Sequence, residues 1–280
     1  MSTEANREFE FTDQDFSFLR DLVGEHTGIS LGDHKRQLVY GRLTRRLRQL
    51  HIASFSEYCA YVELNTDNEI GEIVNAITTN LTSFFRENHH FEHLARTALP
   101  DRMAQNKTSR RLRIWSAGCS TGEEPYSIAM TLMDGVPELA SWDARILATD
   151  IDSNVLARAS SGVYPDERVR DMEDKCAQRW FRKGAGVNAG KVRIDGRLQA
   201  LINFRQLNLM ETWPMRGPFD VIFCRNVVIY FDKPTQKELF NRYADLLSPN
   251  AYLYVGHSET LHRICDRFKL IGRTIYQKVS

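Results

Sequence analysis

Between Leu112 and Ser127 the chain reads LRIWSAGCSTGEEPYS, and this stretch holds the residue types best suited to bind and position a ligand. Leu112, Ile114 and Trp115 form a short apolar run of the kind a buried strand carries. Ser116 to Gly122 is small and glycine-bearing, so the backbone can turn sharply and approach a ligand. Glu123 and Glu124 then open a helix, with Pro125 in its first turn and Tyr126, Ile128, Ala129, Met130 and Leu132 along its apolar side. A strand, a glycine turn and a helix N-terminus make the ligand-binding corner of a doubly wound α/β sheet.

The ligand class is narrowed by what this corner lacks. A phosphate loop needs GxxxxGK[ST], and a dinucleotide fingerprint needs GxGxxG with an acidic residue about twenty positions on. Here the spacing is Gly118-x-x-x-Gly122, followed by two carboxylates where a pyrophosphate requires bare N–H groups and positive potential. A polyphosphate is therefore disfavoured. The next predicted strand, Ala144 to Thr149, ends in Asp150, a carboxylate placed where it can accept hydrogen bonds from both hydroxyls of a ribose. A nucleoside with a cationic or zwitterionic tail suits these parts, and S-adenosylmethionine is such a molecule. Taken alone, the glycine pair favours a tight strand-to-helix turn and nothing more.

Around this corner the chain alternates strand and helix: strand 112–117, helix 123–134, strand 144–149, then a helix from about Ser153 to Ser160. Such alternation argues for a parallel sheet. After Gly162 a charged helical stretch, Asp166 to Phe181, leads into a glycine-punctuated segment read as a small antiparallel insertion over about 182–206. The sheet resumes with Phe219 to Cys224, then the polar pair Arg225-Asn226 and an apolar run from Val227 to Phe231. A helix from Pro234 to Leu247, a strand from Ala251 to Val255 and a hairpin of Phe268–Ile271 with Thr274–Gln277 close the domain. The first 80 residues read instead as all helix, with capping-box patterns at Thr12-x-x-Asp15 and Ser54-x-x-Glu57. The predicted layout is thus a helical domain over 1–80, a connecting cleft wall over 81–110 and an α/β domain over 111–280.

At 280 residues and 42% apolar content the chain is long enough for a large globular domain plus a small one, and its net charge of +1 gives no overall field for nucleic acid. Five cysteines lie scattered without zinc-type spacing, as suits reduced thiols in the cytoplasm. No stretch is long enough to span a bilayer, and the N-terminus lacks the apolar core of a signal, so no membrane insertion is expected. The even balance conceals one local segregation. On the second helix Lys35, Arg42, Arg45 and Arg46 share one sector, and no acidic residue lies between His34 and Arg48, a concentration that favours an acidic partner over a merely solvated face. Stacking aromatics are sparse there, with Tyr40 alone, so nucleic acid is not expected. His89, His90 and His93 invite a metal reading that the sequence does not support, because no carboxylate or cysteine completes a recognisable ligand spacing. No metal is therefore expected.

Several blocks converge on one family. ITTNLTSFFR, SAGCSTGEEPYSIA, ATDID, the pair Asn208-Leu209, FDVIFCRNVVIYFD and VGHSE, in this order, resemble the CheR family, the glutamate methyltransferases that act on bacterial chemotaxis receptors. The resemblance runs from about Phe11 to the C-terminus. It implies an all-helical N-terminal domain, a Rossmann-like domain that binds S-adenosylmethionine and releases S-adenosylhomocysteine, and a small β-subdomain inserted in the latter. Carried over residue by residue, it implies cofactor contacts at Asn80, Thr82 and Arg86, at Gly118 and Glu123 or Glu124 after the glycine turn, at Asp150 on the ribose, and at Asn208, Leu209, Arg225 and Asn226. Arg86 and Tyr230 lie near the reacting methyl group in that family. The basic second helix resembles the surface that docks on the acidic cytoplasmic coiled coil of the receptor, and in some members the β-insertion also grips a peptide at the receptor's C-terminus. A monomeric cytoplasmic enzyme is expected.

The implied reaction moves a methyl group from a sulfonium to a carboxylate oxygen. A glutamate with a pKa of about 4.3 is ionised at neutral pH, so no general base is required, in keeping with the lack of a Ser/His/Asp or Cys/His constellation. Two roles stay open for each of the reacting residues: Arg86 orients the acceptor carboxylate or binds the cofactor's own, and Tyr230 fixes the attacking oxygen or packs the wall. Two other readings remain at this point, a non-catalytic S-adenosylmethionine sensor and a methyltransferase of another acceptor. The place where amino-methylating nucleic-acid enzymes carry DPPY or NPPY holds CRNVVIYFD instead, which disfavours a nucleic-acid acceptor.

Overall fold

The fold is described from a computed structural model, and the described residues are 8–279. The chain forms two compact units, one running up to Thr79 and including Tyr230–Asp232, the other comprising Asn80–Ile229 and the chain from Lys233 onward.

The first unit is built from α1 (Asp13–Thr27), α2 (Arg36–Leu50), α3 (Phe55–Leu64) and α4 (Thr66–Ile77). Each start follows from local chemistry. Thr12 and Asp15 satisfy one another's backbone N–H groups in a capping box at α1, Ser54 accepts the Glu57 N–H at α3, and Gly28 ends α1 in the left-handed conformation. Leu19, Val23, Val39, Leu43, Leu47, Phe55, Tyr58 and Ile73 make the core. Ser30 donates its N–H to the Tyr230 carbonyl at 2.8 Å, which ties the 230–232 segment into this unit.

The second unit begins with α5 (His89–His93), a π turn (Leu94–Ala98) and α6 (Leu99–Gln105), then enters a seven-stranded sheet. Its strands are β1 (Arg111–Ala117), β2 (Asp143–Asp150), β6 (Ile202–Gln206), β7 (Phe219–Cys224), β8 (Leu247–Val255), β9 (Phe268–Gly272) and β10 (Ile275–Lys278), in the order β6-β2-β1-β7-β8-β10-β9. The first five lie parallel; β10 runs antiparallel to β8, and β9 antiparallel to β10. Helices α7 (Glu123–Gly135), α8 (Ser153–Ser161) and α11 (Lys233–Leu246) provide the crossovers. From β1 the chain steps outward to β2 and β6, then returns to the other flank of β1 with β7 and β8. The switch point therefore lies between the carboxyl ends of β1 and β7, where a doubly wound sheet opens its binding crevice.

The insertion differs from its expected extent of about 182–206. Its antiparallel sheet combines β3 (Val163–Pro165), β5 (Lys191–Ile194) and β4 (Phe181–Lys183), while β6 joins the large sheet, Ile202 to Gln206 running parallel to Ile146–Asp150. Short β-prone runs between glycines do not state which sheet they join, and β3, three residues long, carries too little pattern to stand out. The stretch read as one helix over Asp166 to Phe181 is a 3-10 turn at Asp166–Val169 and the short helix α9 (Asp174–Trp180). A final turn, α10 (Gly196–Gln199), leads back to β6. Trp180 is fully buried and its indole N–H donates to Asp134 at 3.2 Å, and Phe84 packs edge-on against both Tyr164 and Phe181. These contacts fix the insertion to the body of its own unit.

Candidate functional site

The glycine turn after β1 is held by bonds that leave one face open. Gly118 and Cys119 both donate their N–H groups to the Thr149 carbonyl, at 2.8 and 2.9 Å, which brings the end of β2 against the turn. Gly118 has φ 87°, and a Cβ there would stand 2.3 Å from a Val227 methyl, so only glycine lets the chain after β7 approach this closely. Gly122, at φ 98°, is hemmed in the same way by Ala159 and the Tyr164 hydroxyl, each 2.9 Å from the missing Cβ.

Asp150 closes the corner. Its carboxylate accepts the Ser120 N–H on Oδ2 at 2.8 Å and the Asp152 N–H on Oδ1 at 3.0 Å, so both oxygens are fixed and each retains further acceptor capacity. Burial pushes this carboxyl up to about 6 against the opposing pull of those N–H donors. Asp152 caps α8 by accepting the Asn154 and Val155 N–H groups, and its other oxygen takes the Asn80 amide at 2.8 Å. Ser120 donates its hydroxyl to the Asn80 carbonyl at 3.0 Å. Leu207 donates its N–H to the Asp150 carbonyl at 3.0 Å, placing Asn208 and Leu209 just past it. Asn208 accepts the Met210 N–H at 3.0 Å, which turns the chain there.

The two glutamates of the helix start are distinguished by their partners. Glu124 accepts the Ser116 hydroxyl at 2.7 Å and an Arg225 N–H at 3.0 Å. Glu123 accepts the Thr121 hydroxyl at 2.6 Å on one oxygen, while its Oε1 is buried with no hydrogen-bond partner; burial raises both carboxyls. Arg225 also donates to the Arg86 carbonyl, and its Nε is buried without a partner. Glu123 Oε1, which stands 3.8 Å from the Arg168 guanidinium and makes no hydrogen bond, the unpartnered Arg225 Nε and the buried Asp150 carboxylate are groups of the kinds that an ammonium, a carboxylate and a ribose need, so the residues present fit a zwitterionic nucleoside. Arg86 folds back to donate to the Leu81 carbonyl at 2.7 Å, and the Thr82 carbonyl accepts from Arg168 at 2.9 Å.

The sequence-predicted residues Asn80, Thr82, Arg86, Gly118, Glu123, Glu124, Asp150, Asn208, Leu209, Arg225 and Asn226 all belong to the second unit; Tyr230 is placed with the helical unit. The basic sector of α2 is reduced by intramolecular bonding. Arg46 makes paired 2.7 Å bonds to the buried Glu69, which also accepts the Tyr58 hydroxyl at 2.7 Å, and Arg42 caps the carbonyl end of α4 at Ala76, Ile77 and Thr78. These two arginines hold the bundle together, whereas Arg45 is exposed and Lys35 half-buried. Helical spacing groups like charges but does not show which of them meet a carboxylate from another helix.

Two acidic residues escaped the sequence reading. Glu259, buried in the VGHSE segment, accepts the N–H groups of Asn226, Val227, Ile229 and Gly256 and so shapes the whole turn after β7. A lone glutamate among small residues gives no periodic signal. Glu87, which the sequence argument about a metal did not weigh, forms with His89 and His90 a group whose ligand atoms all lie within 4.8 Å of one another, while His93 turns away to the Tyr254 hydroxyl at 2.8 Å. Cys119 and Cys224 are packing residues, their thiols pushed well up by burial.

Comparison with known proteins agrees with this geometry. The family described as "CheR methyltransferase, SAM binding domain" matches residues 80–277, and "CheR methyltransferase, all-alpha domain" matches 14–78. The chain is 48% identical over 277 residues to Chemotaxis protein methyltransferase 2 of Pseudomonas aeruginosa, covering 97% of this chain and 95% of that one. It is 43% identical over 268 residues to the Chemotaxis protein methyltransferase of Escherichia coli, covering 95% and 91%. With the Probable chemotaxis protein methyltransferase of Rhizobium etli it shares 43% over 258 residues, covering 91% and 96%.

Proposed function

The chain belongs to the CheR methyltransferase family, and from that premise we propose that it methylates glutamate side chains of methyl-accepting chemotaxis receptors, forming the γ-methyl esters of sensory adaptation. The observation that carries the reading is the Asp150 carboxylate, fixed by two backbone N–H groups at the carboxyl end of β2, beside the glycine turn that follows β1. The names of the relatives place the methyl transfer in chemotaxis, and the glutamate acceptor follows from the family resemblance of the sequence blocks.

S-adenosylmethionine, when bound, supplies an electrophilic methyl group on a sulfonium. Asp150 takes the ribose hydroxyls, Asn208 and Leu209 flank the adenosine, and Asn80 and Thr82 border the cleft. Glu123, with an acceptor to spare, receives the ammonium of the amino-acid tail, and Arg225 and Asn226 bound the tail from the end of β7. Glu124 holds Arg225 in place. Arg86 orients the acceptor glutamate, which arrives ionised, and Tyr230 fixes the attacking oxygen. A looser grip than a bidentate ion pair suits Arg86, because a fully paired carboxylate is a poorer nucleophile. The protein's contribution is position and exclusion of water. Lys35 and Arg45 supply the positive potential of α2 that meets the acidic receptor, and the β3-β5-β4 sheet offers a receptor tail its edges.

The test is to incubate the purified protein with methyl-labelled S-adenosylmethionine and receptor-bearing membranes, then treat with mild base. Label released as methanol, and lost when the acceptor glutamates become alanine, supports the reading. Cofactor binding without transfer favours a sensor, and base-stable label favours a different acceptor group.

A further inference from the structure

Glu87, His89 and His90 lie where the chain leaves the cofactor-contacting segment for α5, and the methyl-transfer reading gives them no task. Their hydrogen bonds determine which ring nitrogens are free. His89 Nε2 is 3.1 Å from the Arg273 carbonyl, which can only accept, so that nitrogen carries the proton. His90 Nε2 is 3.0 Å from the Thr274 hydroxyl, which also stands 2.8 Å from the Arg273 carbonyl; with the hydroxyl donating to that carbonyl, Nε2 again is the donor. In each neutral ring the lone pair is therefore on Nδ1. His90 is fully buried, and burial holds it in the neutral form.

This arrangement leaves two buried acceptors facing one another. His90 Nδ1 and Glu87 Oε2 are both buried without a hydrogen-bond partner, and they stand 3.7 Å apart. That separation is too long for a hydrogen bond and close to the edge, about 3.3 Å, of a tetrahedron with metal–ligand bonds near 2.0 Å. His89 brings the third ligand atom within 4.8 Å of the others. The surroundings are those that orient metal ligands: each imidazole donates its other N–H to a carbonyl or hydroxyl, and Glu87 Oε1 is held by His257 Nδ1 at 3.1 Å. Glu87 itself sits in the left-handed region at φ 56°, a conformation that costs a non-glycine residue about 1 kcal/mol or more and that sets its carboxylate beside the two rings.

We propose that Glu87, His89 and His90 form a mononuclear site for a first-row divalent transition-metal ion of the zinc type, with an open position for solvent. Two imidazoles and a carboxylate suit such an ion better than calcium or magnesium, which take oxygen ligands. Among the described residues the Arg225 guanidinium stands 3.4 Å from Glu87 Oε2 and the exposed His257 ring 3.1 Å from Oε1, while Glu124 also pairs with Arg225. An ion on Oε2 takes that oxygen from Arg225, leaving the guanidinium to Glu124 and the Arg86 carbonyl. Occupancy is thereby coupled to the residues at the tail end of the cofactor crevice. The ion-binding claim stands whether or not the chain methylates a receptor.

The test uses the full chain, stripped with a chelator and titrated with Zn²⁺ by calorimetry and with Co²⁺ by visible absorption. The expected result is a single saturable ion per chain, cobalt d–d bands without a thiolate charge-transfer band, and an affinity reduced about tenfold or more by Glu87→Gln and by His89→Gln. Far-UV circular dichroism establishes that each variant is folded, and the half-exposed His89 serves should Glu87→Gln fail to fold. No saturable uptake at submillimolar ion, a thiolate charge-transfer band, or unchanged affinity in the folded variants overturns the proposal.

Discussion

Replacing Glu259 with glutamine should loosen the turn that carries Arg225 and Asn226 without changing its shape in sequence terms. Oε2 accepts from Asn226 at 2.8 Å and from Gly256, and Oε1 accepts from Val227 at 2.8 Å and Ile229 at 3.3 Å. Whichever oxygen becomes the amide nitrogen, two backbone donors then face a third donor. Each hydrogen bond to a charged acceptor is worth about 1.5–3 kcal/mol. Against this loss stands relief from burying a charge, since burial raises the Glu259 carboxyl. The net local destabilisation is about 2–4 kcal/mol, or roughly 30- to 800-fold in the opening equilibrium. Asn226 adds to the effect, because it is held at φ 59° by this same carboxylate. Amide hydrogen exchange reads it directly, as faster exchange at positions 226, 227, 229 and 256 with the strands of the sheet unaffected. Affinity for S-adenosylhomocysteine should fall in parallel. Exchange at all four amides within about threefold of the parent would refute the assignment of Glu259 as the organiser of the turn.

The other predictions concern the cofactor corner and the helical unit. Asp150→Asn keeps one acceptor oxygen and loses the charge, so S-adenosylhomocysteine binding measured by calorimetry should weaken by about 2–3 kcal/mol, roughly 30- to 160-fold. With the Asp150 carboxyl raised to about 6, the free protein takes up a proton as pH falls through 6 and the ribose loses its ionised acceptor, so affinity should drop about tenfold from pH 7 to pH 5, and not in Asp150→Asn. The stability sign is the opposite: a carboxyl raised from 3.8 binds its proton more readily folded than unfolded, so its contribution is largest below pH 3.8 and declines as pH rises through 6, as urea titration of the parent against Asp150→Asn should show. Arg46→Ala strands the buried Glu69 and should destabilise the helical unit by about 3–5 kcal/mol in denaturant melts, whereas Arg45→Ala should leave stability within about 0.5 kcal/mol and slow receptor methylation in low salt. Gly118→Ala, with a Cβ 2.3 Å from Val227 and φ 87°, should displace the turn and abolish calorimetric cofactor binding.

Much of the α/β unit was legible because its strands and helices alternate with strong patterning. Phe219–Cys224 is buried at every position and apolar but for Asp220, and the glycine turn after β1 announces itself by Gly118, Gly122 and the helix that follows. The insertion was harder to read because β3 and β4 are three residues long and pair with a strand some ten to thirty residues away, so register rather than local pattern decides their sheet. The basic face of α2 was legible as a charge cluster but not as two populations, because the partner of Arg46 lies on α4, 23 residues on. Asp150 could be placed from the strand end alone. Glu87 and Glu259 could not, since their importance comes from contacts with residues more than 30 positions away or from backbone turned back on itself.

The most direct test of the account is to locate the transferred methyl group by peptide mass mapping of a receptor cytoplasmic domain after reaction with the protein and S-adenosylmethionine. A mass increase of one methylene on glutamate side chains, absent with Asp150→Asn at limiting cofactor and reversed by mild base, is the predicted result. Methylation on a nitrogen-bearing side chain, or on no receptor residue at all while the cofactor is bound, would contradict it.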